Sequence, residues 1–268
     1  MKLTIRFFSM IVIMAMAFTS QVIAQDEATP ASLYNDAVAS LKAKEWHKGY
    51  DLLLQALDAA DPEEDEQIVS LANKNLGIAS YYAGNDDRKG DELDAALEKY
   101  NKGIEVSPGF YANYIGKAMV LNEQGDDAGA LSAYIKASNA AEKGGKADKA
   151  VELKDKATIF VSRAYSAKEW DKTLELANMF NENGESEDVY YYMSRAYKGK
   201  GDHQSALDFA TKAIELGGEG KDGRNYFAQA EAYEELGNTS AALEAYKKVP
   251  AGTYAETAKY KLDQLANN

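Results

Sequence analysis

One short motif returns along this chain at about the spacing of a helical hairpin, and it leaves few folds open. Its copies begin Gly125-Asp126-Asp127-Ala128-Gly129-Ala130-Leu131, Gly201-Asp202-His203-Gln204-Ser205-Ala206-Leu207 and Gly237-Asn238-Thr239-Ser240-Ala241-Ala242-Leu243. Each is a turn glycine, a polar capping residue and a helix start with a small residue at a fixed place. A unit of this size cannot bury its apolar face alone, so neighbours must stack into a solenoid.

Apolar residues recur at three- and four-residue steps, and no window alternates as a strand does. The chain reads as all-α. The fullest copy spans 111–143. It has Tyr114, then a small residue at Ala118, Leu121, the turn at Gly125, a second small site at Ala130, Tyr134 and Ala137. Ser107-Pro108 closes the unit before it. Small residues let two helices approach to about 8–10 Å, and the tyrosines fill the space beside them.

In these residues the chain resembles the tetratricopeptide repeat (TPR) family, whose unit is a helix–turn–helix of 34 residues. The second small site falls at Gly49, Ala96, Ala130, Thr173, Ala206 and Ala242, in steps of 47, 34, 43, 33 and 36. Leu53, Tyr100, Tyr134, Ala177, Ala210 and Tyr246 follow four residues later. The resemblance implies a TPR-like α-solenoid superhelix of about six helical hairpins, with units near 31–62, 66–108, 111–143, 147–182, 187–219 and 222–250. A helix at 254–266 would cap the end. The two long steps are assigned to an insertion at Asn85 to Glu92, read as an acidic loop, and to a loop from Glu142 to Asp148.

Residues 1–24 read as a signal peptide. Lys2 and Arg6 precede an apolar run from Phe7 to Phe18, and Val22 and Ala24 suit cleavage before Gln25. An uncleaved anchor is the alternative, but the run is short against the roughly 20 residues of a span. Residues 25–30 form a polar leader, and 31–268 the repeat domain. The expected location is the periplasm or the exterior of a Gram-negative cell, with no membrane insertion after cleavage. There is no cysteine, so disulfides, thiolate metal sites and a lipid-modified terminus are excluded. Loss of Lys2 and Arg6 leaves 28 basic residues against 43 acidic ones, a balance that repels nucleic acid.

No constellation signals catalysis, a metal or a cofactor, and the chain is read as non-enzymatic. Gly218-Glu219-Gly220-Lys221-Asp222-Gly223 fits the spacing of a dinucleotide loop, but it follows a helix where that chemistry requires a strand. His47 and His203 lie in different repeats and read as solvated residues near helix starts.

The resemblance implies a partner groove lined by the first helix of each hairpin. On that basis the candidate binding residues are Lys74, Asn75, Ile78, Tyr81 and Tyr82; Ile115, Met119 and Asn122; Tyr191, Tyr192, Arg195 and Lys198; and Phe227 and Glu231. Tyrosine and arginine carry binding energy well. Packing between repeats is the alternative for Tyr81 and Tyr192. Tyr191, Tyr192 and Arg195 share one helix side, with Lys198 a turn further on, and read as a basic, aromatic spot. The carboxylate-clamp pattern of some family members is broken at Ile78, Ile115 and Gly116, so that activity is not carried over. The expected partner is a protein or peptide, with a glycan or peptidoglycan as the alternative ligand.

Overall fold

The computed structural model describes residues 28–266, so the expected signal peptide lies outside the described residues. Within them the chain forms α-helices joined by short turns, plus one 3-10 turn. In chain order these are α1 (Pro30–Lys42), α2 (Trp46–Ala59), α3 (Glu66–Lys89), α4 (Leu93–Val106), α5 (Tyr111–Glu123), α6 (Asp127–Lys143) and α7 (Ala147–Ser166). Then come α8 (Trp170–Asn181), α9 (Glu187–Lys200), α10 (His203–Gly217), α11 (Arg224–Glu235), α12 (Thr239–Lys247) and α13 (Ala255–Ala266). The all-α, hairpin-repeat class is therefore as expected. Among the described residues no helix is long and apolar enough to cross a membrane.

Turn chemistry fixes the period. Five residues before each second small site stands a residue with positive φ: Lys44, Asp91, Gly125, Lys168, Gly201 and Gly237. Glycine occupies three of these positions at no steric cost, while Lys44, Asp91 and Lys168 accept the left-handed conformation at φ 59–63°. The first helix thus ends and the second begins in one geometry whether or not glycine is present. Asp202 and Asn238 then cap α10 and α12 by accepting hydrogen bonds from the Ser205 and Ala241 backbone N–H groups, at 3.0 and 3.2 Å.

The described residues divide into two compact units, 28–125 with 136–150, and 126–135 with 151–266. In the first, α1 to α4 each pack on the next helix, and first helices also meet, α1 on α3 and α3 on α5. Leu33, Tyr34, Leu41, Leu53 and Leu76 form the core near its start. Tyr100 is fully buried, and its ring occupies the space that a Cβ at Gly84 or Gly116 would need. Its hydroxyl donates to Asn85 Oδ1 at 3.0 Å.

In the second unit α8 to α13 pack in succession and α9 meets α11. Phe227, Tyr246 and Ala258 join α11, α12 and α13 in one cluster, with Leu262 and Leu265 against it. The last helix thereby covers the apolar face of the hairpin before it.

Two expectations are corrected. Asn85–Lys89 is not a loop: it extends α3, and Asp87 is buried there with Lys99 Nζ at 2.8 Å and His47 Nε2 at 3.3 Å. That pairing makes helix the better state for a stretch whose Asn and Asp residues have weak intrinsic propensity. Glu142–Asp148 is likewise mostly helical, because α6 runs to Lys143 and α7 starts at Ala147. The surplus residues lengthen α7 to 20 residues.

Candidate binding faces of the two units

In the first unit the candidate face is built on α3 and α5. Asn113, fully buried on α5, donates to the Gly77 carbonyl at 2.9 Å and sets the two helices side by side at this level. Ile78 on α3 and Ile115 and Met119 on α5 remain half-exposed, with Lys74 and Asn122 exposed beyond them. Three groups from the sequence reading have structural work here instead. Asn75 is buried and donates to the Tyr34 hydroxyl at 3.0 Å. Tyr82 stacks on Trp46 with ring centroids 4.2 Å apart, and Tyr81 meets Phe110 edge-on at 6.1 Å.

In the second unit both cations of the expected basic spot are already paired within the protein. Glu231 on α11 accepts a hydrogen bond from Arg195 and another from Lys198 at 2.5 Å. Burial alone would raise the Glu231 carboxyl, but the attraction of Arg195 and the bond from Lys198 outweigh it and hold it below the usual carboxylate range. Arg195 and Lys198 therefore act as internal partners of Glu231. Phe227 is core, packed on Tyr246 and Tyr254. Tyr191, expected on the binding face, is buried as well, against Ala210 and Ala228, while its neighbour Tyr192 stays partly exposed. Burial pushes its hydroxyl's pKa far up, assisted by the Tyr254 hydroxyl at 3.3 Å.

What the sequence reading missed is a depression of about 360 Å³ beside these residues. α7 supplies Tyr165 and two serines, Ser162 and Ser166, and α9 supplies Tyr191 and Tyr192. The turn before α11 brings Lys221 and Asp222, and the turn before α13 brings Thr253 and Tyr254. Arg224 lies with its guanidinium carbon 4.5 Å from the Tyr191 ring centre and is held by Glu187 at 2.8 Å and by Asp188. The turn dismissed as a dinucleotide loop thus forms part of the rim. No local pattern announces the site, because its residues come from four separate segments.

Comparison with known proteins comes down to the repeats themselves. The tetratricopeptide repeat model matches residues 187–216 and 223–249. No curated protein matches the chain. Among solved structures, a TPR protein from Parabacteroides merdae is 15% identical over 89% of this chain and 99% of that one, with a TM-score of 0.36. The TPR2AB domain of yeast Sti1, in its complex with pHSP90, is 13% identical over 88% and 98%, at 0.38. A thermophilic TPR protein of Thermus thermophilus is 16% identical over 90% and 100%, at 0.31. At such TM-scores the likeness adds nothing to the repeat match.

Proposed function

Taking as premise that this is a tetratricopeptide repeat protein, with matched units at 187–216 and 223–249, we propose that it is a non-catalytic scaffold. It holds an extended protein segment on the first-helix face of its first unit. One observation carries this reading: Ile78, Ile115 and Met119 remain partly exposed on two adjoining first helices, between the exposed Lys74 and Asn122. An apolar stripe rimmed by Lys74 and Asn122 is the composition expected of a contact core with a polar margin. The charged, apolar and small-residue order of residues 2–24 supports export to the periplasm or beyond, with a mature chain starting at Gln25.

The test is site-specific photo-crosslinking in producing cells, with the reactive residue placed at Ile115 or, as a control, at the exposed Glu98 on second helix α4. A discrete protein adduct from position 115 and none from 98 is expected, on a chain whose first residue is Gln25. Adducts from 98 alone would overturn the binding face. A recovered chain starting at Met1 would overturn export.

A further inference from the structure

We propose that the depression in the second unit is a saccharide site, taking one or two rings of a neutral glycan. This is a second activity, separate from the protein-binding face of the first unit. The lining contains no aliphatic side chain: its apolar surface is tyrosine, and the rest is serine, threonine and ions. A pocket for a peptide's apolar side chain is lined predominantly by hydrophobic groups, so this composition favours a ligand that is itself dense in hydroxyls. Its volume lies near the low end of the roughly 300–1,000 Å³ of ligand pockets, which suits a ring or two.

The rings define how a ligand must lie. Tyr165 and Tyr192 have centroids 5.3 Å apart, and Tyr191 and Tyr192 5.5 Å. A ring sandwiched between two others needs about 7 Å, two contacts of about 3.5 Å each, so nothing inserts between them. Tyr192 is tilted by 38° to Tyr165 and stands edge-on to the buried Tyr191, at 63°, so a flat-faced ligand stacks on the partly exposed Tyr192 with Tyr165 inclined beside it. A pyranose presents such a C–H face, with its hydroxyls directed outward from the ring edge.

Those hydroxyls meet matched partners. Asp222 sits in the left-handed region at φ 54°, ψ 28°, and only its Oδ2 is engaged, accepting from Thr253 Oγ1 at 3.0 Å. Oδ1 remains to accept from a sugar hydroxyl. Lys221 is exposed beside it and has no ion-pair partner among the described residues. The Arg224 charge is already spent on Glu187 and Asp188. An anion would gain Lys221 but face Asp222, whereas a neutral polyol uses both without separating any pair.

The experiment titrates the full mature chain with chitotriose, cellotriose and maltotriose at millimolar concentration, read by calorimetry and tyrosine fluorescence. A glutamate-rich pentapeptide serves as the anionic comparison. Saturable binding of at least one trisaccharide is expected, weakened tenfold or more by Tyr192→Ala and by Asp222→Asn. Asparagine tolerates the left-handed conformation, so the second variant keeps its turn and its melting curve. Paired alanines at Ile115 and Met119 should leave saccharide binding unchanged, which separates this site from the protein-binding face. Binding of the pentapeptide alone, of no probe, or of a saccharide indifferent to both depression variants overturns the proposal.

Discussion

Tyr100→Ala is expected to destabilise the first unit by about 3–5 kcal/mol, the range for deleting a large aromatic from a packed core. Tyr100 is fully buried between Gly84 on α3 and Gly116 on α5, and glycine at both places is what lets the ring fit. Truncation therefore leaves a cavity walled by backbone, which relaxes poorly. It also removes the donor to Asn85 at 3.0 Å, one of the bonds that tie the α3 extension to α4. The equivalent tyrosine one repeat later, Tyr134, is half-exposed, with Phe160 as its aromatic neighbour. Tyr134→Ala should cost distinctly less. Urea melts that rank the two variants equally would show that these positions are not packed as described.

The second large effect is at Glu231. Glu231→Ala leaves Arg195 and Lys198 without their shared carboxylate in the interior of the second unit. Breaking a buried pair from one side costs about 3–5 kcal/mol, and the partial exposure of these side chains, 16–25%, places the expected loss near the lower end. The pH dependence follows from the direction of the carboxyl shift. Because the folded-state value lies below the unfolded one, of about 4.3, the contribution is complete above that value. It disappears as the pH falls through the lower folded value. The gap in stability between parent and variant should therefore be constant near neutrality and close in acid. A gap that widens on acidification would contradict the assignment.

The parts of the fold legible in the sequence are those set by short-range rules. The second small sites, from Gly49 to Ala242, are all buried, including Thr173 in a unit that otherwise departs from the pattern. Their turns share one backbone geometry, taken by glycine in three of them and by Lys44, Asp91 and Lys168 in the others, where the sequence carries no glycine signal. The segment at 85–89, read as part of an acidic loop, was misread because its helical state depends on Lys99 and His47, which lie on other helices.

The candidate site was legible only in part for the same reason. Several polar links span about one repeat in sequence: Arg88 to Glu123, Asn113 to Gly77, Arg163 to Asp127, Arg195 to Glu231 and Arg224 to Glu187, at separations of 35–37 residues. A helix face considered alone shows Arg195 and Lys198 as free cations, and the carboxylate they share appears only when the next first helix is laid beside it. Tyr191 was assigned to the surface for want of the same neighbour, since Ala210 and Ala228 are what bury it.

The most direct measurement is the affinity of the crosslinked partner, once purified, for the chain with Ile115 and Met119 both replaced by alanine. If these two side chains are the hot spot of the contact, truncating both costs about 2 kcal/mol or more. The account predicts an affinity lowered by about thirtyfold, the same energy at 1.4 kcal/mol per tenfold, with the melting curve unchanged. An affinity equal to that of the parent, in a variant equally stable, would contradict the claim that this protein holds its partner on the first-helix face.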